Sequence, residues 1–170
     1  MQTALKPPRS ASGFTLVELI SVVAVTGVLT ATAMPRLTAL AGDARYASLQ
    51  TAAGALMTVA VSAHGQFMIN GQPTQALEDV QVALANGYPA ADRSTFEAAG
   101  LDRGFTVYTS ASTAAPYAPP VPAGAMVIVP NGIAGTARAA SCYLVYTQSR
   151  APNSPPVVTE GAGTSAGNCV

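Results

Sequence analysis

The chain has 170 residues, room for one domain and an appendage. Charged residues make up only 9%, against roughly a quarter in ordinary soluble domains, so the surface must be wetted by Ser, Thr, Gly and Asn or covered by membrane or sister subunits. The formal net charge is zero, Lys6 is the one lysine, and Arg36, Arg45, Arg93, Arg103, Arg138 and Arg150 are dispersed; no basic field attracts nucleic acid, and no specific nucleic-acid partner is expected.

Residues 1–13 carry Lys6, Arg9 and Pro7-Pro8 and no acid. From Phe14 to Met34 the chain is apolar, and Glu18 is its one ionisable residue. About 21 residues at roughly 1.5 Å each span about 31 Å as a helix, close to the hydrocarbon thickness of a bilayer. A cleaved secretory signal has an apolar core of roughly 7–15 residues before an A-x-A-like site. Ala31-Thr32-Ala33 imitates that site, but the run is too long. With basic residues only on the N-terminal side, the positive-inside rule puts Met1 in the cytoplasm and the remainder outside. Glu18 is out of place in a plain anchor: a carboxylate within a span costs several kcal/mol unless paired or neutralised, and so marks function.

Gly13-Phe14-Thr15-Leu16-Val17-Glu18 resembles the processing site of type IV prepilins and pseudopilins. The resemblance implies that a membrane-embedded prepilin peptidase cuts between Gly13 and Phe14 and methylates the new amine of Phe14. Residues 1–13 would then be a removed leader, 14–35 a transmembrane and filament-core helix, and 36–170 a globular head that includes the amphipathic half of the helix. It also gives Glu18 a partner. A neighbouring subunit shifted along the filament axis would set its Phe14 amine beside the carboxylate, and two unit charges about 4 Å apart gain roughly 4 kcal/mol at an effective dielectric near 20, less desolvation. A subunit out of register would leave the charge unpaired, so Glu18 and Phe14 are the expected assembly residues.

Pro35 removes the hydrogen bond to the carbonyl of Ala31, and Gly27 is a second weak point, so a kink or local break is expected. In the pilins that the sequence resembles, the stretch between such residues loosens on packing, which implies the same for Gly27 to Pro35. Beyond it Tyr46, Leu49, Ala53, Leu56, Ala60, Ala63 and Phe67 recur every three or four residues as an amphipathic stripe. The periodicity predicts a helix from about Thr15 to about Ala63, with Gly65 and Asn70-Gly71 as end signals.

In the rest, Val80–Leu84 reads as a short strand or a helical turn, Asn86-Gly87-Tyr88-Pro89 as a loop, and Ser94-Thr95-Phe96-Glu97 as a capping box opening a short helix that Gly100 ends. Strands are expected at Phe105–Thr109, Ala125–Val129, Ser141–Thr147 and Pro156–Thr159, separated by Pro- and Gly-rich turns. The expected fold is therefore α+β: a pilin lollipop with a long N-terminal helix, transmembrane in its first half, packed on a roughly four-stranded antiparallel sheet. Two cysteines allow one pairing. Given export, a Cys142–Cys169 bridge would tie the Gly161–Asn168 tail to the third strand; closing a loop of about 27 residues contributes roughly 3.5 kcal/mol on the chain-entropy model. Such a C-terminal disulfide region is common among pilins.

Leu40 and Gly42-Asp43-Ala44-Arg45 beyond Pro35, then Asn86-Gly87-Tyr88-Pro89, and Cys142 followed by Tyr146 look like the mannose-sensitive haemagglutinin (MSHA) pilin group. Major pseudopilins typically use a calcium loop, and no dense acidic cluster offers one here. His64, the one histidine, is expected near a helix C-terminus and not at a metal. Asp43 and Arg45 suit either an intersubunit salt bridge or a solvated pair, Glu78-Asp79 a loop or helix start. Tyr88, Tyr108, Tyr117, Tyr143 and Tyr146 suit core or cross-strand contacts better than a sugar platform. No phosphate loop, nucleophile motif or CxxC is present, so no enzyme, cofactor or metal is expected. The whole reads as a structural subunit of a type IV pilus serving attachment, biofilm formation or motility. The alternative is a pseudopilin of type II secretion or a minor pilin. The expected partners are sister subunits, the prepilin peptidase, the inner-membrane assembly machinery and, before assembly, lipid. The precursor belongs in the inner membrane and the product in an extracellular filament.

Overall fold

The computed structural model describes residues 13–112, 115–152 and 154–170. Lys6, Arg9 and the rest of the expected leader up to residue 12 lie outside them. The chain divides into two units, one ending at Leu37 and the other running from Thr38 to Val170. A single helix, α1 (Leu16–Asn70), contributes to both.

In the first unit α1 carries apolar residues on every side as far as Met34 and is exposed on every side, as Leu16, Val17, Val28, Leu29 and Met34 are. β-Branched residues such as Val22, Val23 and Val25 are mediocre helix formers in water. In lipid the helix is nonetheless favoured because it satisfies every backbone group internally. α1 is the one helix among the described residues long and apolar enough to cross a membrane. It continues through Gly27 and Pro35.

In the second unit α1 buries one face: Gly42, Leu49, Ala52, Leu56, Val59, Ala60 and Ala63. That stripe overlaps the expected one, with Tyr46 and Ala53 at its half-buried margin. The helix outlasts its expected end at Ala63 and stops at Asn70. Gly65 is tolerated inside it, because an isolated helical glycine costs only about 1 kcal/mol. Gly71 ends it, adopting φ 65° while its N–H donates to the Phe67 carbonyl.

A three-stranded antiparallel sheet follows: β1 (Thr74–Leu77), β2 (Val80–Ala85) and β3 (Tyr88–Pro89), in that order. Val80–Leu84 is thus strand, and the Glu78-Asp79 pair is the turn of the β1–β2 hairpin, with Glu78 at φ 50°. Asn86-Gly87 takes left-handed geometry at both positions, and Tyr88-Pro89 returns as a strand instead of continuing as a loop. The next helix, α2 (Arg93–Ala98), starts earlier than expected. Its cap is Asp92, whose Oδ1 accepts from the Thr95 N–H and the Ser94 hydroxyl, so Ser94 serves the cap and is not itself the cap.

The second sheet has four antiparallel strands in chain order: β4 (Phe105–Thr109), β5 (Ala125–Pro130), β6 (Leu144–Thr147) and β7 (Val157–Glu160). β6 starts three residues later than expected because Ala137–Ser141 coils into a 3-10 turn. Every residue of β5 is buried. Its Met126 and Ile128 join Leu49 and Leu56 of α1, Phe96 of α2 and Tyr146 of β6 in one core. The fold is α+β, with the amphipathic part of α1 packed on antiparallel sheet and Cys142 bridged to Cys169 at a Cα separation of 5.2 Å.

Candidate assembly and processing site

Gly13 and Phe14 precede α1, and Phe14 is 92% exposed. Thr15 begins the helix as its cap: its Oγ1 accepts from the Glu18 N–H, and its carbonyl accepts from the Leu19 N–H. Glu18 answers, its Oε2 accepting from both the Thr15 N–H and the Thr15 hydroxyl at 2.8 Å. This reciprocal capping box is spelled by Thr15-Leu16-Val17-Glu18, a signature legible in the sequence that reasoning about the membrane passed over. Glu18 therefore has in-chain hydrogen-bond donors. Both are neutral, and among the described residues no cation pairs with the carboxylate.

The other polar side chains of the span are satisfied by the helix that carries them. Ser21 bonds to the Glu18 carbonyl, Thr26 to those of Val22 and Val23, Thr30 to that of Thr26, and Thr32 to those of Val28 and Leu29. Such back-bonding lets a hydroxyl enter hydrocarbon cheaply. Glu18 alone among the span's described residues brings a charge. It lies beside Phe14, Leu19, Ser21 and Val22 along an open groove of about 390 Å³.

The remaining candidates are structural. His64 stacks on Tyr88 with centroids 4.0 Å apart, and its Nδ1 meets the Gly87 carbonyl at 2.9 Å. It joins α1 to the β2–β3 turn. No group of three His, Cys, Asp or Glu residues is placed to hold a metal among the described residues. Arg45 is half-buried and pairs with no acid among the described residues: its Nη1 donates to the Cys169 carbonyl at 2.7 Å, fixing the tail to α1. Asp43 is exposed. Tyr143 and Tyr146 are core residues, Tyr146 donating to the Pro89 carbonyl, whereas Tyr117 is 60% exposed.

Residues 8–34 match the family described as the prokaryotic N-terminal methylation motif, so the span and the capping box sit inside a type IV pilin-like prepilin signal. A chain with this signal is a pilin-like or pseudopilin substrate of the prepilin peptidase, membrane-anchored as a precursor and destined in general for polymerisation. No curated protein and no solved structure matches the chain.

Proposed function

We propose that the chain is a structural subunit of a type IV pilus that polymerises through its N-terminal helix. Residues 1–13 are the leader, 14–35 the membrane and filament-core segment, and 36–170 the head. The peptidase cuts between Gly13 and Phe14 and methylates the Phe14 amine. Lys6 and Arg9 hold the precursor's N-terminus in the cytoplasm, and the finished filament is extracellular, acting in attachment, biofilm formation or motility.

One observation carries this reading: Glu18 is the single charge in the apolar run Phe14–Met34, whose helix is exposed on all sides. Thr15 supplies its hydrogen bonds but no counter-charge. A second copy supplies one, the cationic amine of its own Phe14, and only when the two helices are in register. Lateral packing of copies also covers the apolar side chains once they leave lipid. The loosening between Gly27 and Pro35 belongs to that packed state. The Asn86-Gly87-Tyr88-Pro89 turn and the Cys142 region support placement nearest the MSHA pilin group.

The test is Glu18→Ala in cells. Membrane insertion and cleavage are expected to persist, while incorporation into filaments drops roughly tenfold or more, the factor that 1.4 kcal/mol supplies. Undiminished filaments in this variant would refute the register role. A pseudopilin would instead show itself in a deletion strain that keeps its surface filaments and fails to secrete. Mass spectrometry of the mature N-terminus is expected to read Phe14 with one added methyl.

A further inference from the structure

Asparagine followed by glycine occurs three times in the chain, at Asn70-Gly71, Asn86-Gly87 and Asn131-Gly132. Such a pair carries a reaction of its own. The glycine nitrogen can attack the carbonyl carbon of the asparagine side chain, and a glycine has no Cβ to shield that nitrogen. The surrounding fold sets the rate. It decides whether the glycine N–H is free, whether a donor polarises Oδ1, and how firmly the departing amide nitrogen is held.

At Asn70 the Gly71 N–H is committed to the Phe67 carbonyl at 2.7 Å, and Gln75 clamps the side-chain amide at both Oδ1 and Nδ2. At Asn86 the neighbouring Gly87 is buried against Phe67 and His64. Nδ2 there donates to the Ser149 carbonyl, and no donor reaches Oδ1 among the described residues. Asn131 and Gly132, just after β5, are both exposed. The N–H groups of Ile133 and Ala134 close that turn on the Pro130 carbonyl, while the Gly132 N–H makes no hydrogen bond among the described residues. The hydroxyl of Thr106 on β4 donates to Asn131 Oδ1 at 2.7 Å, and Nδ2 has only a 3.3 Å bond to the Arg103 carbonyl. The Arg45 guanidinium lies against Gly132, where a Cβ would sit 3.5 Å from its Nε.

These groups match what the reaction needs. Attack drives negative charge onto Oδ1, where the Thr106 hydroxyl stabilises it as an oxyanion-hole donor does. Loss of the Gly132 proton leaves negative charge on nitrogen, which the nearby Arg45 cation favours. Solvent reaches both residues, so water is at hand as proton acceptor and as reactant.

We infer that Asn131-Gly132 is a self-modifying site, singled out by the fold from three candidates, at which the chain deamidates spontaneously. A bond forms between Gly132 N and Asn131 Cγ, and the Cγ–Nδ2 bond breaks. The proton lost from Gly132 is carried by water to the departing nitrogen, which leaves as ammonia. Water then opens the resulting imide at either carbonyl, giving aspartate or isoaspartate at position 131. The product loses its donor to the Arg103 carbonyl and gains a negative charge in a chain that has few. Isoaspartate also adds a methylene to the main chain two residues before Ile133, which is buried in the core. The change therefore records the age of the molecule. It is independent of filament assembly, so either reading can fail without the other.

The test is peptide mapping by mass spectrometry of the full-length chain in detergent at mildly alkaline pH, incubated folded and, in parallel, unfolded in urea. Unfolded, the three sites should convert at comparable rates, because each has the same glycine neighbour. Folded, Asn131 should convert about tenfold faster than Asn70 and Asn86. Thr106→Val keeps the side-chain shape without the donor and should slow Asn131 about three- to tenfold, the effect of one hydrogen bond on a barrier. Thr106→Ser should keep the wild-type rate. Asn70 and Asn86 in the same digest report whether each variant stays folded, and the wild-type ranking decides the matter if one does not. The inference is overturned if Asn70 or Asn86 converts as fast as Asn131 in the folded chain. It is overturned equally if folded Thr106→Val and Thr106→Ser convert alike.

Discussion

Oε2 of Glu18 takes both of its hydrogen bonds from Thr15, and among the described residues no cation faces the carboxylate. Thr15→Ala removes the cap's side chain and is expected to cost the first turn about 1 kcal/mol, seen as faster amide exchange at Leu16–Leu19 with cleavage at Gly13 intact. Tyr146 shows the opposite economy, a phenol fully satisfied in the core. Burial, and secondarily the Asp92 carboxylate, pushes its pKa well above the ordinary tyrosine value. Because the folded value is the raised one, the contribution of Tyr146 is fully present below the unfolded pKa of about 10 and lost as pH climbs beyond it. Tyr146→Phe should cost about 1 kcal/mol at pH 7, through loss of the bond to the Pro89 carbonyl, and should lessen the alkaline drop in melting temperature.

Among the elements, those whose signals lie within a few residues were the readable ones. β4 begins and ends where the alternation of Phe105–Thr109 places it, and β5 runs one residue beyond Val129. β1 was missed because Thr74-Gln75-Ala76-Leu77 has no strand-rich composition; it is ordered by pairing with β2, and Gln75 is buried through hydrogen bonds to Asn70 and the Gln72 carbonyl. The β2–β3 turn binds this small sheet to α1. Gly87 has φ 84°, and a Cβ there would lie 2.8 Å from Phe67 Cε1. Gly87→Ala is therefore expected to destabilise the chain by roughly 1–2 kcal/mol in thermal unfolding, through left-handed strain and displacement of Phe67.

For the molecule as a whole, the sparse charge is offset by a covalent link. Cys142 and Cys169 are 27 residues apart, and the bridge holds the tail where Arg45 reaches the Cys169 carbonyl. Gly42 completes the seat: a Cβ on it would run into the Ala166 carbonyl. Reduction, or the paired Cys142→Ser and Cys169→Ser change, is expected to cost roughly 3 kcal/mol in denaturant unfolding and to expose the tail to protease. Equal stability of oxidised and reduced chains would contradict this role for the bridge.

The sequence by itself determined the apolar span with its one acid, the processing signal around Gly13 and Phe14, the helical stripe and the four-strand pattern. Each of these depends on residue type at short, regular spacing, which chain geometry converts directly into structure. Only the tertiary structure decided that Arg45 would serve a carbonyl 124 residues away, that His64 would lie flat on Tyr88, and that the Tyr146 hydroxyl would meet the Pro89 carbonyl. Those outcomes depend on which distant backbone groups arrive beside a side chain when the core closes, and no local pattern encodes that arrival.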